Sequence, residues 1–209
     1  MRRNALRLLR PTGLLWTDPP RTRRDKGVED QALLLGALKR ASRVTLYASK
    51  KKRAFAVNDQ LAVRPVVKDD FPQWKPLWDG YNAFYGRAGQ TALPLEVTQV
   101  TWSRFFDAAE PMHALVAEDA GKLLGLAHFL FHRSTIQIAP TCYLQDLFTV
   151  EQARGKGVGR ALISAVYQFA LAAGSPRVYW QTHESNKSAM QLYDKIAEKS
   201  GFVVYRKLL

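Results

Sequence analysis

The chain has 209 residues, 47% of them hydrophobic, a formal net charge of +13 and one cysteine. That length gives one domain a real core and leaves residues over for an extension. A single cysteine excludes a disulfide framework and a Cys-based metal site, and no apolar run reaches membrane-spanning length, so a soluble, cytoplasmic chain is expected.

The charge is not spread evenly. Residues 1–60 carry 15 Lys/Arg against 5 Asp/Glu, whereas residues 61–209 carry 16 against 13. The basicity therefore belongs to an N-terminal arm, which weakens any case for nucleic-acid binding by the rest. The arm holds Pro11, Pro19, Pro20 and basic clusters at 21–26 and 50–53. Only residues 28–43 have the spacing of an amphipathic helix. It reads as a basic, disordered extension of residues 1–60. Three other readings stand beside this one: an arm that contacts nucleic acid or acidic partners, an organelle transit segment (poor in Ser and too acidic), and an upstream extension of little function.

The folded domain is placed at 61–209. Leu61 to Val67 reads as a strand whose proline suits an edge position. Asp69 or Asp70 is positioned to cap a helix with Pro72 in its first turn, running through Trp74, Leu77, Trp78, Tyr81 and Phe84. Glu96 to Ala108 reads as a second helix. The loop around Tyr81, Tyr85 and Arg87 is the candidate wall of an acceptor pocket, with core packing as the plainer role for the aromatics. His113 to Asp119 and Leu123 to His132 make a hairpin across Asp119-Ala120-Gly121-Lys122. His128 and His132 lie about 13 Å apart on one face of a strand, which suits surface or core roles better than metal binding.

Cys142 to Val150 is apolar, β-branched and aromatic enough for a buried strand. After it comes Arg154-Gly155-Lys156-Gly157-Val158-Gly159-Arg160, then a helical run from Ala161 to Gly174. Glycines at a strand-to-helix turn permit positive φ and close approach of a ligand. The free N–H groups and positive dipole end of the helix, with Lys156 and Arg160 beside them, suit a phosphate. The spacing is neither a P-loop nor a dinucleotide fingerprint. Arg177 to Thr182 reads as a strand, Ser188 to Lys199 as a helix capped by Ser185 or Asn186, and Gly201 to Leu209 as a last strand. The order β-α-α-β-β-β-α-β-α-β describes an α/β fold on a mixed, mostly antiparallel sheet with one right-handed crossover.

Arg154, Gly157 and Gly159 after a strand, then Asn186-x-x-Ala189 with Tyr193 seven residues beyond Asn186, then Gly201-Phe202, resemble the acetyl-CoA motifs of the GNAT N-acetyltransferases. The resemblance spans about 61–209 and is nearest to the histone and polyamine acetyltransferase-like branch, with its diamine and thialysine enzymes. It implies a GNAT fold and direct acetyl transfer from acetyl-CoA to a primary amine: a small amine, a polyamine, an amino acid or a protein lysine. It implies that Leu147, Phe148 and Thr149 pair with the pantetheine arm. The backbone of Arg154, Gly155, Lys156, Gly157, Val158, Gly159 and Arg160 would hold the pyrophosphate, Asn186 would bond pantetheine, and Tyr193 would protonate the departing thiolate. A homodimer is expected, and no metal.

Gln145 departs from the branch, whose members carry Glu there, and Gln cannot take a proton. That leaves Asp146, Glu184 or water to deprotonate the amine. Glu184 is favoured, because adjacent strand residues face opposite sides and Gln145 is placed at the acceptor. The competing function is a weakly catalytic acyl-CoA sensor with a basic arm on nucleic acid.

Overall fold

The computed structural model describes residues 55–56 and 61–209. The readings of the basic arm lie outside the described residues, except that Phe55–Ala56 forms a short strand, β1, so the sheet starts before residue 61. The further elements are β2 (Leu61–Pro65), α1 (Phe71–Phe84), α2 (Leu95–Arg104), β3 (Met112–Asp119), β4 (Lys122–His132), β5 (Thr141–Thr149), α3 (Val158–Ala172), β6 (Val178–Trp180) and α4 (Lys187–Tyr193). One sheet holds the strands in the order β1-β2-β3-β4-β5-β6. All neighbours are antiparallel except β5 and β6. This is the expected mixed α/β sheet with one parallel crossover, made through α3.

Alternation along β3 divides the core in two. Leu115 and Ala117 pack with Leu162, Ile163 and Val166 of α3. Ala114 and Val116 pack with Trp74, Leu77 and Trp78 of α1. The β3–β4 hairpin turns at Ala120 (φ +47°) and Gly121 (φ +80°), so both central residues take the left-handed conformation that a tight hairpin demands.

Three expectations need correction. Asp70 does not cap α1 through its side chain. It is buried, accepts the Val67 N–H at 2.8 Å and receives both Nη groups of Arg64 at 2.6 and 2.9 Å, because a charged partner outcompetes a cap for a buried carboxylate. Helix α2 stops at Arg104 and α4 at Tyr193, both short of the expected ends. The last strand does not form: residues 201–209 are all exposed and belong to no strand, and among the described residues nothing pairs with them.

Gly125 locks three layers together. A Cβ there would lie 2.6 Å from the Phe148 carbonyl oxygen and 3.2 Å from both Leu162 and Val158. Backbone cannot yield as a side-chain tip can, so Gly125→Ala is expected to cost about 1–3 kcal/mol of stability, the usual range for overpacking. The midpoint of urea unfolding checks this, and an unchanged midpoint contradicts it.

Candidate active site

The site arises where the sheet comes apart. β5 pairs with β4 as far as Thr149, yet it pairs with β6 only through Cys142, Tyr143 and Leu144. Beyond Leu144 the side of β5 turned away from β4 has no strand beside it, and a cleft of about 490 Å³ opens there. Backbone polar groups along such an edge need a partner. The walls include Leu144, Gln145, Leu147, Phe148 and Thr149 of β5, Trp180 and Gln181 from β6 onward, and Asn186, Ala189 and Tyr193 of the α4 region.

At one end of the cleft lies the glycine loop. Gly155 (φ +74°) and Gly157 (φ +85°) both take the left-handed conformation, and Gly157 is the residue before α3. The first helical bond, from the Ala161 N–H to the Gly157 carbonyl at 2.9 Å, leaves the N–H groups of Val158, Gly159 and Arg160 ahead of the ladder. Arg154 donates Nε–H to the Thr149 carbonyl at 3.4 Å, which ties the loop to the end of β5. Arg154, Gly155, Gly157, Val158, Gly159 and Arg160 all line the cleft. Lys156 is exposed and off its wall. An open backbone cradle with adjacent cations fits a pyrophosphate.

At the middle stands Tyr193, whose ring meets that of Trp180 at 5.3 Å. Burial, helped by the neighbouring Tyr85, pushes its phenol up to about 12. Such a hydroxyl keeps its proton near neutrality and is available as a donor. Asn186 caps α4 by accepting the Ala189 N–H at 3.4 Å and donates Nδ2–H to Thr182 at 3.2 Å. The expected cap and the expected cleft position therefore coincide. Cys142 is fully buried and its thiol is pushed up to about 12 by burial, so it is inert core.

The far end is aromatic. Tyr81 and Tyr85 line it, at 5.1 Å from each other, and the Arg87 guanidinium lies 5.8 and 5.6 Å from their rings. Arg87 is oriented by donating Nε–H to Asn82 at 2.7 Å. Among the described residues no carboxylate pairs with it.

Under this end runs a buried polar chain that the sequence did not reveal. Trp74 donates Nε1–H to His128 Nε2 at 3.0 Å. Indole nitrogen only donates, so Nε2 must accept, and the imidazole proton sits on Nδ1. From there it is donated to Asp146 Oδ2 at 3.0 Å. Asp146 also lies near the Tyr81 hydroxyl, and burial followed by the Asp146 charge raises the Tyr81 phenol above its ordinary value.

A bulge brings Asp146 there. His128 pairs with Asp146, but Phe129 pairs with Leu144, so Gln145 is the extra residue. Simple alternation thus fails at this point. Leu144 and Leu147, three apart, both pack on the α3 layer, while Asp146 turns to His128 beneath α1. Gln145 lines the cleft and is exposed. Glu184 is exposed and is not among the residues that line the cleft. Among the described residues no group of three His, Cys, Asp or Glu could hold a metal ion, and no helix is long and apolar enough to cross a membrane.

The cleft between parting parallel strands thus has a cradle suited to phosphate at one end and a phenol that keeps its proton along its wall. Comparison with known proteins agrees. Residues 74–197 match the model of the Acetyltransferase (GNAT) family, and the chain belongs to that family. It is 37% identical over 153 residues to the D-amino-acid N-acetyltransferase HPA3 of Saccharomyces cerevisiae, covering 72% of this chain and 92% of that one. It is 29% identical over 109 residues to the thialysine N-epsilon-acetyltransferase of Mus musculus, 45% of this chain and 62% of that one. The solved structure of AAC(6')-Iy with a CoA-linked bisubstrate analog shares the fold at a TM-score of 0.61 and 18% identity, over 72% of this chain and 100% of that one. The protein is an acyltransferase that moves an acetyl group to an amine.

The buried chain predicts its own weak point. Asp146 accepts the His128 Nδ1–H at 3.0 Å, so Asp146→Leu leaves that buried donor without a partner. The expected loss is about 1–3 kcal/mol, that of an unsatisfied buried polar group. It is read from the urea midpoint, and a variant as stable as the parent contradicts the donor assignment.

Proposed function

We propose that the protein transfers the acetyl group of acetyl-CoA directly to the α-amine of a free amino acid, with D-amino acids as the first class to test. The observation that carries the acceptor class is Arg87, a cation without an acidic partner among the described residues, which is not itself on the cleft wall but is held against the two tyrosines that wall the far end. A guanidinium there suits a carboxylate and repels a polyamine. The 37% identity to a D-amino-acid N-acetyltransferase supports the same choice.

In this reading the free edge of Leu147, Phe148 and Thr149 hydrogen-bonds the pantetheine arm as an added strand would. The N–H groups from Gly155 to Arg160 hold the pyrophosphate, and Asn186 steadies the arm from the opposite wall. A thioester is already activated, so the protein supplies alignment, a donor for the carbonyl oxygen and proton handling. The amine arrives as a cation and must shed a proton. Its proton passes to the Tyr81 oxygen as the Tyr81 proton moves to Asp146, the carboxylate that lies under the acceptor end. Asp146 takes this role from Glu184, which lies off the cleft. Tyr193 gives its proton to the departing thiolate. Gln145, exposed at the bulge, contacts the acceptor without taking a proton.

Two measurements test these assignments. Tyr193→Phe is expected to lower kcat about 100-fold, the low end of general acid catalysis, while the Kd for acetyl-CoA stays within about twofold. In the parent enzyme kcat/KM should climb from about pH 7 to 9 as the amine loses its proton. No falling limb due to Tyr193 should appear in that range, because its phenol titrates at about 12. Full activity of Tyr193→Phe would remove it from the mechanism.

Arg87→Met tests the acceptor. It should raise KM for a D-amino acid about 10-fold or more, a typical loss for a charged contact, and leave KM for the matching decarboxylated amine unchanged. Equal effects on both would detach Arg87 from the carboxylate. Turnover of polyamines alone would replace the acceptor class.

A further inference from the structure

Helix α1 carries a glycine where alanine would serve the helix better. Gly80 lies inside Phe71–Phe84, and glycine in a helix interior weakens it relative to alanine. Gly80 is not among the glycines with positive φ, so its backbone does not require the missing side chain. Its surroundings do. A Cβ at residue 80 would lie 2.8 Å from Cζ and 3.1 Å from Cε1 of Phe148. The tip of the Phe148 ring thus occupies the place of the absent side chain, as in a notch cut into the helix.

Phe148 is fixed at its other end. Its backbone pairs with Leu126 of β4, and its carbonyl oxygen lies 2.6 Å from where a Cβ of Gly125 would stand. The ring packs against Trp74, Leu77 and Trp78 of α1, all buried. Its remaining side is the cleft, which Phe148 lines together with Tyr81 and Phe84 of the same helix. Gly80 itself is not on that wall. A methyl group at residue 80 therefore has to turn the ring, because neither the strand nor the packed core yields as easily, and the open direction is the cleft.

We propose that Gly80 determines which acyl groups the site accepts. By receiving the Phe148 ring it keeps clear the space beside the reacting end of the CoA arm, and that space takes short acyl chains longer than acetyl, up to butyryl. The assignment rests on the proposed course of the arm along Leu147, Phe148 and Thr149. A thioester held at that edge has its acyl chain next to the side chain that leaves the edge towards α1. Gly80 touches no substrate; it is a positioning residue that acts through Phe148.

The test is calorimetric titration of the whole chain with CoA, acetyl-CoA and butyryl-CoA. CoA has the same arm without an acyl group and serves as the internal reference. The parent should bind butyryl-CoA within about threefold of acetyl-CoA. Gly80→Ala should keep the Kd for CoA within about twofold and raise that for butyryl-CoA about 10-fold or more, the usual discrimination for a methylene-sized change in an apolar pocket. In a Phe148→Leu background the same methyl group should alter the butyryl-CoA Kd less than about twofold, since the two residues act as one pair. Phe148→Leu alone, which leaves α1 untouched, should tighten hexanoyl-CoA roughly fivefold relative to CoA. Equal losses for CoA and butyryl-CoA in Gly80→Ala overturn the proposal, as does no gain for hexanoyl-CoA in Phe148→Leu. So does a parent that binds CoA and rejects butyryl-CoA, and each of these results leaves the course of the arm standing. A parent that fails to bind CoA overturns that course and the proposal with it.

Discussion

The constraint on which the rest depends is that β5 and β6 stay paired for only three residues. A strand in the middle of a sheet normally has both edges satisfied. Here β5 is held by β4 along its whole length and deserted by β6 after Leu144. The exposed edge is a run of oriented donors and acceptors whose geometry is fixed by β4 and cannot relax. Every other part of the site is arranged along that edge. Gly125 lets the Phe148 carbonyl come close to β4, Arg154 ties the glycine loop to Thr149, and Asn186 and Tyr193 close the opposite wall. Binding energy gained along the edge aligns the reacting ends, which is the larger part of what an activated thioester requires.

The bulge at Gln145 is the second constraint, and it separates two tasks. Without it, strict alternation would place residue 146 on the face opposite the one that Gln145 occupies and keep Leu144 and Leu147 on different layers. With it, the apolar pair stays on the α3 side while a carboxylate is delivered beneath α1. A carboxylate buried there is tolerable because an imidazole donates to it, and that imidazole is itself fixed by an indole. The donor-only character of Trp74 decides the tautomer of His128, and through it the orientation of Asp146. Removing one member therefore disturbs the others, and their effects will not add.

Local chemistry was legible in the sequence. The glycine loop, the cap at Asn186 and the seven-residue step to Tyr193 are encoded within single turns or one helix, and residues that near in sequence stay near in space. The hairpin at Ala120-Gly121 was legible for the same reason. The buried chain was not. Trp74 and His128 are 54 residues apart, and their meeting depends on strand register and helix placement that no local pattern states. A buried polar residue in an apolar strand was the available signal: His128 interrupts the run Leu123 to Phe131, and such a residue needs partners. The choice of Glu184 over Asp146 rested on alternation, and alternation holds only where the register is unbroken.

The final segment shows the opposite failure. Its pattern reads as a strand, because β-branched and aromatic residues with apolar groups on both faces fit a buried strand position, yet no strand forms there. Pattern, however, reports what a segment can do in a sheet and says nothing about whose sheet. Among the described residues the segment pairs with nothing and β6 is the end strand of the sheet. A strand-forming tail and an open edge on one molecule are each hazards, since either invites indiscriminate pairing.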